Sequence, residues 1–217
     1  MSEPDTPSST QKAVSYTASQ PYFTRGRRSA DTQSTWMVFH GIGYLAPHFL
    51  KHFEHLDPDR HYLVAPQAPS LYYQTESYDR VGACWLTRKH TAMQMENLLG
   101  YLDQIAESEA LSTAGRLVFF GYSQGVSIVC RWVAQRKISC DRIVLYAGKV
   151  PDDVSPRDFD HLPDTCRVEL LYGDSDPLAD KWDRSRLIGH ARDVFGSRLK
   201  PISYAGGHEL QRQWIRE

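Results

Sequence analysis

Short apolar runs alternate along the chain with longer stretches whose apolar positions recur every three or four residues. The runs are "TWMVFH" (Thr35–His40), "HYLVAP" (His61–Pro66), "RLVFFG" (Arg116–Gly121), "RIVLYAG" (Arg142–Gly148), "RVELLYG" (Arg167–Gly173) and "PISYAG" (Pro201–Gly206). Most are continuous in hydrophobicity, as strands covered on both faces are. An earlier segment, "AVSYTASQPYFTRG", alternates more and reads as an edge strand or hairpin. Three stretches have helical spacing. "TAMQMENLLGYLDQIAESEA" carries the stripe Met95, Leu98, Leu99, Leu102, Ile105, and its Thr91 and Gln94 resemble a capping box. "QGVSIVCRWVAQRK" turns Val126, Val129 and Val133 to one side, and "DRSRLIGHARDVFG" ends on Gly196, a helix-stopping residue. Strands alternating with helices predict an α/β fold, a mostly parallel twisted sheet with helices on both faces. Sites in such sheets lie beyond the carboxyl ends of the strands.

Composition narrows the function. The 217 residues suit one domain, 41% of them are apolar, and the net charge is -1. That charge offers no field for nucleic acid or an anionic membrane. No apolar run approaches the roughly 20 residues that span a bilayer. "MSEPDTPSSTQK" has neither the cationic start nor the apolar middle of a secretory signal. Residues 1–12 are expected to be a disordered tail and residues 13–217 the domain. Cys84, Cys130, Cys140 and Cys166 form no C-x-x-C pair and have no zinc-ligand spacing, which favours a cytoplasmic protein with small buried thiols. His48, His52 and His55 have helical spacing, yet no H-E-x-x-H accompanies them, so no metal site is expected.

The chemistry gathers after the strands. "GYSQG" places Ser123 between Gly121 and Gly125, after a strand and before a helix, the setting of a nucleophile elbow. A serine hydroxyl needs a base, and the base needs an orienting acid. His208 in "AGGHE" follows the last strand. "YGDSDP" offers Asp174 and Asp176; Asp176 is the better candidate, because Asp174, next to the glycine, suits a turn. The backbone N–H groups of Ile42, in "FHGIG", and Gln124 are candidate oxyanion donors, with His40 orienting its loop. Tyr44, Tyr72, Tyr73 and Trp85 are candidate pocket residues, the last three in a long aromatic loop from Leu71 to Trp85.

"FHGIG", "GYSQG", "YGDSDP" and "AGGHE", together with "APQAPSLYYQTESYDRVGACWL", resemble in order and approximate spacing the phospholipase/carboxylesterase family of α/β-hydrolases, from about Thr35 to His208. The resemblance implies an α/β-hydrolase fold and the hydrolysis of carboxylic esters or thioesters; the expectation of no large lid domain, and of short to medium acyl chains, comes instead from the short polar span before Arg167. It implies Ser123 as nucleophile, Asp176 and His208 as its partners, the Ile42 and Gln124 amides as oxyanion hole, and no cofactor. The expected partner is a small-molecule ester or thioester, without nucleic acid or stable membrane insertion; a homodimer stays open. Three departures alter the pocket walls: Tyr44 after Gly43, Val126 after the second elbow glycine, and "PLADKW" after the acid. The polar span "KVPDDVSPRDFDHLPDTC" is too short for a helical lid, which predicts an open site. The alternatives are an acyl-protein thioesterase and an inert binding protein on the same scaffold.

Overall fold

The computed structural model describes residues 9–216. Most of the expected tail, residues 1–8, lies outside them, and residues 9–12 are exposed and without secondary structure.

Seven strands form one sheet. In chain order they are β1 (Tyr22–Arg25), β2 (Ser34–Phe39), β3 (His61–Pro66), β6 (Leu117–Tyr122), β7 (Arg142–Tyr146), β8 (Arg167–Gly173) and β9 (Leu199–Tyr204), arranged in space as β1-β3-β2-β6-β7-β8-β9. β1 runs antiparallel to β3, and every other pairing is parallel. The alternating segment therefore yields one short edge strand and no hairpin. β2, β3, β6 and β7 are buried at every position, which is why their sequences show no alternation.

The period of two survives in where each side chain goes. Met37, Phe39, Phe119, Ile143 and Leu145 enter one core with α2 (Thr91–Ser108), α3 (Gln124–Arg136) and α5 (Arg184–Phe195). Trp36, Val38, Val118, Phe120, Val144 and Tyr146 enter a second core, covered by α1 (Ala46–Leu50), the 3-10 turn that continues it, and the C-terminal segment around Ile215. The expected stripe of α2 is buried in the first core. Its capping box is absent. The N-cap is His90, in a left-handed conformation, and the Thr91 hydroxyl donates to the Thr87 carbonyl. α5 starts on Asp183, whose carboxylate accepts from Ser185 N, and stops at Gly196 with φ +57°.

Two further elements correct the sequence reading. The stretch expected as a long loop from Leu71 to Trp85 is an antiparallel hairpin, β4 (Ser70–Tyr73) with β5 (Val81–Cys84). A short helix, α4 (Pro177–Lys181), follows β8. Between β7 and β8 the described residues hold one 3-10 turn, Pro156–Phe159, which sends Phe159 onto Phe195.

Candidate active site

Ser123 sits between β6 and α3 with φ +52° and ψ −115°, a conformation normally reserved for glycine. Its surroundings leave no other way through. A Cβ on Gly125 would lie 2.3 Å from the Phe39 carbonyl oxygen, and one on Gly121 would lie 2.7 Å from that of Gly125. Gly148 makes the same kind of room from β7's end: a Cβ there would meet Ser123 O at 2.4 Å and the Val126 side chain at 2.5 Å. Val126 is thus accommodated by a glycine just past the end of the neighbouring strand. The Ser123 amide is bound to the Tyr146 carbonyl at 2.8 Å, which ties the turn to β7.

His208 follows β9, and Asp176 follows β8. The turn brings all three side chains together. His208 Nδ1 is 2.8 Å from Asp176 Oδ2, and His208 Nε2 is 2.9 Å from Ser123 Oγ. A carboxylate only accepts, so Nδ1 carries the proton and Nε2 is left to accept from the serine hydroxyl. Asp176 is buried, and its second oxygen accepts from Leu178 N at 2.9 Å, capping α4. Asp176 is therefore held from both sides, one oxygen by a helix start and one by the imidazole. Asp174 is exposed and does other work. Its Oδ1 accepts from Gly206 N at 3.0 Å, a bond that lowers its pKa and ties the acid loop to the base loop. The two loops touch closely enough that a Cβ on Gly173 would lie 2.3 Å from both the Gly206 and Gly207 carbonyl oxygens.

The oxyanion candidates lie on the other side of Ser123. Gly41–Tyr44 is a turn closed by Tyr44 N to Gly41 O at 3.2 Å, with Gly43 at φ +85° in the position that wants glycine. Neither the Ile42 nor the Gln124 amide has a hydrogen-bond acceptor among the described residues. His40 holds this turn from beneath. It is fully buried, donates from Nδ1 to Gly41 O at 2.8 Å and accepts at Nε2 from Ala68 N at 3.2 Å. Burial lowers its pKa to about 4, so the ring stays neutral and keeps both roles.

The candidate pocket residues separate. Tyr72 and Tyr73 are exposed on the hairpin, Tyr73 edge-on to Tyr78 at 5.0 Å. Tyr44 is half-buried and packs edge-on against Tyr122 at 5.7 Å. Trp85 does not line an open pocket. It is buried beside His40 at 4.9 Å and donates to the His40 carbonyl at 2.8 Å. An indole that size fills the space under the Gly41–Tyr44 turn. The three histidines of the "APHFLKHFEHLD" stretch also separate. α1 ends at Leu50, and His55 turns away to the Ile215 carbonyl at 2.6 Å.

Several contributors carry no motif. The Gln124 side chain binds Trp85 N at 2.9 Å and Leu86 O at 2.8 Å, joining α3 to the end of the hairpin. Gln74 donates to Gly43 O at 2.8 Å. Tyr146 and Tyr204 direct their hydroxyls into the loop that carries His208, Tyr204 onto Gly207 O at 3.1 Å and Tyr146 as acceptor from Gln211 N at 3.1 Å. For the tyrosines, one signal existed: each stands at or beside the carboxyl end of its strand.

Solved structures share this arrangement of strands and helices. An acyl-protein thioesterase 2 from Zea mays superposes with a TM-score of 0.64 at 16% identity, covering 91% of this chain and 95% of that one. The chain has the α/β-hydrolase fold. A carboxylesterase from Bacillus cereus gives 0.62 at 14% identity over 91% and 93% of the two chains. A protein of unknown function from Agrobacterium tumefaciens gives 0.63 at 17% over 89% and 92%. No protein-family model matches the sequence, and no curated protein does. At these identities the likeness is one of architecture.

Proposed function

We propose that this chain is a serine hydrolase that cleaves carboxylic esters or thioesters of short to medium acyl chains. One observation carries the reading: a single imidazole bonded to a carboxylate at 2.8 Å and to a strained serine at 2.9 Å. In the proposed reaction, the Ser123 oxygen attacks the acyl carbon while its proton moves to His208 Nε2. Asp176 steadies the imidazolium. The Ile42 and Gln124 amides receive the carbonyl oxygen as it becomes negative. His208 returns the proton to the departing alcohol or thiol, and water, activated by the same ring, then hydrolyses the acyl-enzyme. These steps draw on side chains, backbone amides and water alone.

Further features fit this reading. The exposed Ile42, Tyr72 and Tyr73 give the neighbourhood of the oxyanion turn an apolar border suited to an acyl group. No described helix is long and apolar enough to cross a membrane. All four cysteines are buried and unpaired, which suits the reducing cytoplasm proposed for it.

The test is hydrolysis of p-nitrophenyl esters from acetate to palmitate, with Ser123→Ala as blank. Fluorophosphonate labelling of the wild type should disappear in the same variant. Undiminished hydrolysis by Ser123→Ala would sink the reading.

A further inference from the structure

We propose that Tyr122 is a positioning residue, which fixes the base against the oxyanion turn through its hydroxyl and its ring. The inference rests on the hydrolase reading and adds to it a residue outside the three bonded side chains.

Tyr122 is the last residue of β6, one position before Ser123. Its side chain continues the series Val118, Phe120 into the second core, opposite in direction to Phe119. The hydroxyl donates to the carbonyl oxygen of His208 itself at 2.5 Å. The ring lies 5.4 Å from the His208 imidazole. Its other edge supports the oxyanion turn: a Cβ on Gly41 would stand 2.9 Å from Tyr122 Cδ1, and Tyr44 meets the ring edge-on. Phe49, stacked at 6.2 Å, and Tyr146, at 6.0 Å, hold it from below.

The loop after β9 needs such a tie. Regular pairing ends at Tyr204, and the residues from Ala205 to Ser123's partner His208 are bends. Tyr204 reaches the Gly207 carbonyl, and Glu209 curls back to Gly207 N. The Tyr122 bond is the one to His208's own carbonyl, which shares a Cα with the imidazole. Shifting that carbonyl shifts the ring that must lie 2.9 Å from Ser123. Catalysis is sensitive to such displacement, at about a hundredfold for roughly 1 Å. Burial raises the phenol pKa well above its ordinary value, so the hydroxyl remains a donor wherever the base is neutral.

The experiment compares wild type with Tyr122→Phe, which keeps the ring and removes the bond. Melting curves first establish that both are folded. On p-nitrophenyl acetate, kcat should fall by about tenfold to a hundredfold with KM changed by less than about twofold. The low-field proton resonance of the His208–Asp176 bond should shift or broaden. A kcat within about twofold of wild type overturns the proposal, and so does a fall in kcat with an unmoved resonance, since the effect would not then pass through His208. If wild type shows no Ser123-dependent hydrolysis, the hydrolase reading fails. The resonance comparison still decides the positioning role: a changed resonance supports it and an unchanged one overturns it.

Discussion

The elbow at Ser123 and the hairpin β4–β5 border the same turn, and they are built by opposite rules. At the elbow each neighbour is backbone at close range: Phe39 O against Gly125, Gly125 O against Gly121, Ser123 O against Gly148. Its backbone strain persists because two strands and a helix leave it no alternative. On the hairpin, all four residues of β4 are exposed, whereas β5 is buried from Gly82 to Cys84 and is the strand tied to the site, by Gly43 N to Ala83 O at 2.8 Å. The part that would perform bond chemistry is overdetermined. β4, the part that would meet the substrate, is lightly held. A change at the first should cost activity or folding; a change at the second should cost selectivity.

The largest effect is expected at the acid. Asp176→Asn keeps the shape and the α4 cap oxygen but reverses the preferred tautomer of His208, so kcat should drop about a thousandfold to ten-thousandfold in ester hydrolysis. Asp174→Asn in the same assay should retain most of the rate, because that side chain ties loops and does not touch the ring. At the elbow, Gly125→Ala forces a methyl against the Phe39 carbonyl, and denaturant unfolding should register a loss of about 3 kcal/mol or more, if the chain folds at all.

The buried ring beneath the Gly41–Tyr44 turn gives a pH signature. His40 titrates near 4 when folded and at its ordinary 6.5 when unfolded. Between those values the unfolded chain binds the extra proton, so stability falls as pH falls. Above 6.5 there is no penalty; below about 4 it levels at about 3 kcal/mol. Melting curves across this range should show a shallower slope for His40→Gln. A slope identical to wild type would show that the acid sensitivity comes from other groups. The smallest effect is expected at the hairpin. Tyr73→Ala should change stability by less than about 0.5 kcal/mol and shift KM across the acyl series by a few fold, with kcat on acetate kept.

The same contrast explains what could be read from the residues alone. The elbow was legible because only glycine fits Gly121 and Gly125, and a constraint of that kind leaves its mark on the sequence. β2, β3, β6 and β7 are legible because burial at every position keeps them mostly apolar. Trp85 turns inward although the sequence suggests a pocket wall, because an aromatic residue declares its bulk and not its direction. The hairpin leaves no strand pattern in the sequence because β4 and β5 are four residues each and two of β4's four are exposed tyrosines, so no period of two develops. α4 is five residues, too short for helical spacing. Thr91 looked like a cap, but the left-handed residue before it moves the helix start by one. The bond from Tyr122 to His208 spans 86 positions and follows only from the order of the strands.

β9 stands last in the sheet and carries Lys200 and Pro201 within its six residues. A second strand seeking to dock along that border would meet a charge and a residue without an N–H to offer. At the opposite border, β1 is only four residues long. Both margins discourage edge-to-edge pairing with a second sheet.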